Sequence, residues 1–189
     1  MRGLGRNKME IIDMLTLSKE QLQQAAQILT DELPLGWADI DEAMLEINER
    51  LFEQKDNTFL AAVEDGAVLG FVGILPTYDG HVFELHPLAV CRDRQGQGIG
   101  AALVRAIEQA AKNRGGCTLW LGADDENTPG ETSLANVNLY DDLPARIANF
   151  NPGRHQSAFY IKMGFKVMGV MPDANGSGKP DIFMAKSLT

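Results

Sequence analysis

"CRDRQGQGIG", Cys91–Gly100, puts glycine at every second position, Gly96, Gly98 and Gly100, just behind Arg92 and Arg94. An apolar run precedes it, and Ile99, Leu103, Ile107 and Ala110 follow at helical spacing. Three readings compete for so much bare backbone at the mouth of a helix. The first is a plain turn, but alternating glycines cost conformational entropy that a turn seldom needs. The second is a dinucleotide fingerprint, since Gly96-x-Gly98-x-x-Ala101 fits its looser form. That motif belongs after the first strand of a parallel unit, and here it follows strands of antiparallel character. The third is a pyrophosphate cradle, in which successive N–H groups at a helix N-terminus bind phosphate oxygens. A Walker loop is excluded, because no Lys-Ser or Lys-Thr follows the glycines.

Working outward, "MEIIDML" (Met9–Leu15) reads as a strand. Ser18 with Gln21 forms a capping-box signature before Leu22, Ala26, Leu29 and Leu33, and Pro34 stops that helix. Asp39 with Glu42 repeats the pattern before Ile40, Met44, Ile47 and Leu51, on a helix with a strongly acidic outer face. "TFLAAVE" and "AVLGFVGIL" flank Asp65-Gly66, a strong hairpin signal. "HVFELHPLAV" is a third strand, and its Pro87 implies an edge, a bulge or a splayed position. Past the glycines, Gly115-Gly116 ends the helix and "CTLWLG" reads as a buried strand. A long polar loop runs from Asp124 to about Asn138. "RHQSAFYIKMGF" reads as a helix ending at Gly164, before the strands "FKVMGVM" and "DIFMAK". The stretch from Thr128 to Phe150 is unassigned. The order describes a mixed α/β layout around one sheet, with residues 1–189 as a single domain and residues 1–8 as a loose extension.

The net charge is −9 over 189 residues. That disfavours nucleic acid or an anionic membrane as partner and suits cationic substrates. Cys91 and Cys117 are too few for a disulfide framework, and no metal-ligand spacing appears. A cytoplasmic setting is expected, because no apolar signal core opens the chain and no stretch is long enough to span a bilayer.

"VCRDRQGQGIGAAL" resembles the acetyl-coenzyme A loop of the GCN5-related N-acetyltransferase (GNAT) superfamily, with Gln95, Gly98 and Gly100 at its motif positions. "FYIKMGF" (Phe159–Phe165) resembles that superfamily's second signature. "ELHPLAV", "RGGCTLWLGADDEN" and "PDANGSGKPDIFMAK" are similar to chromosomal aminoglycoside 6′-N-acetyltransferases. The resemblance covers about Phe59 to Lys186. It implies a central, largely antiparallel, splayed sheet flanked by helices. It also implies acetyl-coenzyme A as co-substrate without a metal, a cationic acceptor, most specifically an aminoglycoside, and a homodimer. The cradle would span Gln95, Gly96, Gln97, Gly98, Ile99, Gly100 and Ala101. Leu88, Ala89 and Val90 would pair with the pantetheine arm like an added strand.

Acetyl transfer from a thioester to an amine needs a neutral amine, a stabilised carbonyl oxygen, a proton for the leaving thiolate and reactants held in line. Glu84 and His86 alternate onto one strand face in "FELHPL". Glu84 is the candidate for holding the substrate ammonium and accepting its proton, and His86 is a second candidate base. The resemblance assigns the Leu88 N–H to the carbonyl and Tyr160 to the coenzyme sulfur, as general acid or as positioning residue. Asp124 and Asp125 suit the ammonium groups of an aminoglycoside. Arg92, Arg94 and Arg154 either meet coenzyme phosphates or balance the acidic surface. Neither cysteine sits in a nucleophile setting and no Ser-His-Asp order appears, so direct transfer is expected. Two alternatives stay open: another amine as acceptor (polyamine, small metabolite or basic protein), and a non-catalytic coenzyme-binding module.

Overall fold

A computed structural model describes residues 8–189. The expected N-terminal extension therefore lies outside the described residues, apart from Lys8. The chain divides into two compact units, one ending at Gly116 and the other Cys117–Thr189.

The first unit carries β1 (Glu10–Asp13), α1 (Lys19–Glu32), α2 (Ile40–Asn48), β2 (Thr58–Glu64), β3 (Ala67–Thr77), β4 (Val82–Val90) and α3 (Ile99–Asn113). Its strands run in the order β1-β2-β3-β4, each pairing antiparallel. The β2–β3 turn holds Asp65 at φ 51° and Gly66 at φ 82°. Two consecutive left-handed residues match the right-handed twist of the flanking strands, which is why Asp-Gly makes a tight hairpin here. Residues 68–74 of β3 are buried without interruption. That pattern signals a strand covered on both faces, and α1 and α3 both pack against β3. Phe59, Ala61, Phe71 and Ala89 join Leu22, Ala26 and Leu29 of α1 and Ala43 and Ile47 of α2 in one core cluster.

Local sequence sets the helix ends. Ser18 and Gln21 form a reciprocal capping box, the Ser18 hydroxyl accepting from Gln21 N–H and the Gln21 amide oxygen from Ser18 N–H. Asp39 caps α2 by accepting from the N–H groups of Asp41 and Glu42. Glu42 reaches one residue further back, accepting from Ala38 N–H. A π-helical turn, Glu49–Glu53, continues α2 and buries Leu51. Ile40 stays exposed, and Ala43 joins Ile47 as the buried face of α2.

The second unit carries β5 (Thr118–Asp124), α4 (Leu143–Ala148), α5 (Ser157–Lys162), β6 (Lys166–Met171) and β7 (Asp181–Ser187), with strand order β5-β7-β6, again antiparallel. The stretch left unassigned by sequence contains α4, capped by Asp142 and opened by Pro144. Gly164 ends α5 at φ 92°. The seven strands and flanking helices form the mixed α/β fold expected from the sequence.

Candidate active site

β4 ends at Val90, a short turn covers Arg92–Arg94, and α3 begins at Ile99. Gly96 sits at φ 72° and Gly98, the N-cap, at φ 88°. Both angles favour glycine, because an L side chain is strained there. Gly100 is already helical. No side chain caps α3, and among the described residues the N–H groups from Gly96 to Ala101 donate to no protein acceptor. A helix N-terminus with free, convergent N–H groups favours an anion, and the helix dipole adds to that preference.

The loop is tied at both ends. The Gln95 amide donates to Val90 O at 3.0 Å and to Glu32 Oε2 at 2.9 Å, and Gln97 donates to Asp93 O at 3.0 Å. Arg92 lies 3.6 Å from Glu32, and Arg94 lies 3.4 Å from Glu64. These two arginines thus have acidic partners within the first unit, while Arg154 is exposed in the second.

Along β4 the register runs Val72↔Leu88, Phe71↔Ala89 and Gly70↔Val90. Cys91 N–H donates to Leu69 O. Antiparallel ladders alternate bonded and non-bonded pairs, so Phe71 and Ala89 form a bonded pair while the N–H groups of Leu88 and Val90 point away from β3. Those donors are therefore not consumed by β3. The irregularity that Pro87 implied is present: the register shifts between Val72 and Ile74, leaving Gly73 opposite His86 and Pro87. Any side chain at Gly73 would collide with Phe59 and with His86 O.

Glu84 and His86 are half-buried on β4. Glu84 makes no ion pair among the described residues. His86 Nε2 lies 3.6 Å from Glu46 Oε1, and the Trp37 ring is tilted against the imidazole at 5.7 Å between centroids. Glu46 also accepts from Arg50 Nε at 2.9 Å. His86, followed by Arg50, holds the Glu46 carboxyl below its ordinary range against the opposing effect of burial. Sequence reading did not single out Glu46 or Trp37.

In the second unit Asp124 is exposed and its carboxylate accepts from the Asn175 amide. Asp125, paired with it by sequence as a substrate carboxylate, is fully buried. Its oxygens accept from Glu131 N–H at 2.9 Å and Thr132 N–H at 2.7 Å, so it pins the following loop. His155 is buried, with Nε2 at 2.9 Å from Asp124 O and Nδ1 at 3.0 Å from Ser157 Oγ. Tyr160 is 6% exposed, with edge-on contacts to Phe159 and Phe165, and burial pushes its phenol well above the ordinary range. Burial, then Asp93, pushes the Cys91 thiol up, which works against a nucleophilic thiolate. The described residues contain no cluster of three or more His, Cys, Asp or Glu able to hold a metal ion, and no helix among them is long and apolar enough to cross a membrane.

Residues 22–132, more than half of the chain, match the acetyltransferase (GNAT) family. The chain belongs to the GNAT family. Its similarity to solved members extends well beyond the matched segment. An aminoglycoside 6′-N-acetyltransferase solved with coenzyme A is 34% identical at TM-score 0.86, over 96% of this GNAT chain and 98% of that one. The aminoglycoside 6′-N-acetyltransferase from Enterococcus faecium is 34% identical at TM-score 0.84, with the same coverage. An uncharacterized N-acetyltransferase of Methanocaldococcus jannaschii is 29% identical over 131 residues, 69% of this chain and 66% of that protein's length.

This GNAT protein is an N-acetyltransferase that uses acetyl-coenzyme A. The residues present fit that donor. The uncapped α3 terminus offers free N–H groups to a pyrophosphate.

Proposed function

We propose that this GNAT protein acetylates the 6′-amine of aminoglycosides by direct attack in a ternary complex. The likeness to an aminoglycoside 6′-N-acetyltransferase, at 34% identity over 96% of the chain, carries this reading. Homodimerisation, a cytoplasmic setting and a single functional domain over residues 1–189 belong to the same proposal.

Acetyl-coenzyme A supplies an activated acyl thioester. In this proposal the N–H groups from Gln95 to Ala101 hold its pyrophosphate, and Leu88 to Val90 hold its pantetheine arm as an added strand. The Leu88 N–H donates to the carbonyl oxygen as negative charge develops there. Glu84, free of ion pairs among the described residues, holds the acceptor ammonium and takes its proton through water. His86 is a second base on the same strand. Asp124 offers an exposed carboxylate to a further ammonium. Asp125 contributes by fixing the loop behind it. With its phenol pushed up, Tyr160 stays O–H and serves as a hydrogen-bond donor; full proton transfer from so weak an acid to a thiolate would run uphill.

A net charge of −9 suits any polycation, so another amine is the competing acceptor. Free thiol released from acetyl-coenzyme A is measured with kanamycin, spermidine or a histone peptide, and the kanamycin product is mapped by NMR. Acetyl found on the 6′-amine is the expected result. Turnover only with another amine overturns the aminoglycoside reading, and coenzyme binding without turnover on any amine favours a non-catalytic module.

A further inference from the structure

His86 has two ring nitrogens, and which one carries the proton decides which one can accept another. The surroundings of the ring bear on that choice. Glu46, thirty-eight places before Glu84 in sequence, reaches β4 from α2 and sets Oε1 at 3.6 Å from His86 Nε2. This is an ion-pair approach, longer than a formed hydrogen bond. Catalytic hydrogen bonds are often long before substrate binds and tighten in the complex. The same Oε1 accepts from Arg50 Nε at 2.9 Å, which holds the carboxylate in place. The Trp37 ring, tilted 52° to the imidazole, limits how the ring can turn. The Glu46 side chain is 19% exposed and that of His86 34%, so the pair is partly shielded from water yet open to a substrate.

We propose that Glu46 is a positioning residue: its carboxylate fixes His86 as the Nε2–H tautomer and leaves Nδ1 as the proton-accepting nitrogen. An acceptor facing one ring nitrogen selects the tautomer protonated there, as at other histidines oriented by a carboxylate. The acidic character of α2 alone does not single out this residue. Asp41 and Glu42 lie on the same element and Glu49 on the π-helical turn that continues it, and Glu46 is the one within ion-pair reach of the ring. The lowered carboxyl of Glu46, with His86 as its largest cause, agrees with this geometry. The inference rests on the acetyl-transfer role proposed for His86, but its first readout does not depend on activity.

Imidazole ¹H–¹⁵N correlation spectra of ¹⁵N-histidine-labelled protein, recorded at a pH of about 8.5 where free rings are neutral, report the tautomer directly. His86→Asn assigns the signal. In the unmodified protein His86 is expected as Nε2–H. Glu46→Leu is expected to let the ring relax to the tautomer mixture of a free imidazole, in which Nε2–H is the major form and Nδ1–H a clear minority, and Glu46→Gln, which keeps an oxygen at the same place, to hold it as Nε2–H. His155, whose Nε2 faces a backbone carbonyl, should keep its signals in all variants and so reports an intact fold. In acetyl transfer Glu46→Leu should lower kcat about tenfold with little change in the KM for acetyl-coenzyme A, and Glu46→Gln should restore most of the loss. An Nδ1–H tautomer in the unmodified protein, or an unchanged tautomer in folded Glu46→Leu, overturns the proposal. If the tautomer responds as stated but kanamycin is not acetylated, the positioning role is supported and the aminoglycoside reading alone fails.

Discussion

The side-chain amide of Gln95 bridges the carbonyl of Val90 and the carboxylate of Glu32. One side chain thus ties the glycine loop to the end of β4 and to the last residue of α1. Gln95→Ala removes both bonds from an exposed site, each contributing about 1 kcal/mol. The expected result is roughly a five- to tenfold weaker affinity for acetyl-coenzyme A with little change in kcat, measured by titration calorimetry and steady-state kinetics. Unchanged affinity would mean that the loop holds its shape without the bridge.

Asp125 is a buried carboxylate satisfied by backbone N–H groups. Asp125→Ala leaves those donors unpaired and is expected to cost about 2–3 kcal/mol in urea unfolding. Faster proteolytic cleavage between residues 125 and 132 should accompany the loss. A direct substrate contact would instead raise the acceptor KM and leave unfolding untouched.

Tyr160 buries its ring between Phe159 and Phe165. Tyr160→Phe keeps that packing, and a raised phenol is a poor proton donor. Turnover is expected to fall by no more than about threefold, whereas an essential general acid would cost about a hundredfold.

Glu46 also affects acid stability. Its folded-state carboxyl is depressed below the ordinary 4.5, so its contribution is complete above that pH and is lost as the pH falls through the folded value. Urea unfolding from pH 7 down to pH 3 should show the unmodified protein losing more stability below about pH 4.5 than Glu46→Leu does. Parallel pH profiles for the two proteins would contradict this.

Much of the fold was legible because its signals are local. Asp65-Gly66 has few options other than a tight hairpin, and Ser18 with Gln21 states a helix start within four residues. Pro87 announced the irregularity in β4. The helix α4 was legible too, since Asp142 as cap and Pro144 in the first turn are a start signal, but the polar stretch around them masked it. Glu46 and the burial of Asp125 were not legible. One of several similar carboxylates on α2 meets β4 only because α2 packs on α1, which itself lies against β4, and Asp125 reads like exposed Asp124 until the loop folds over it. Both facts belong to tertiary packing, which neither periodicity nor composition encodes.

The proposed mechanism has the glycine loop hold the donor while β4 acts on the acceptor amine. It is tested most directly by thiol release from saturating acetyl-coenzyme A and kanamycin with Glu84→Ala. Turnover about a hundredfold lower, with coenzyme affinity unchanged, is the predicted result. Unimpaired turnover would remove Glu84 from the chemistry and contradict the account.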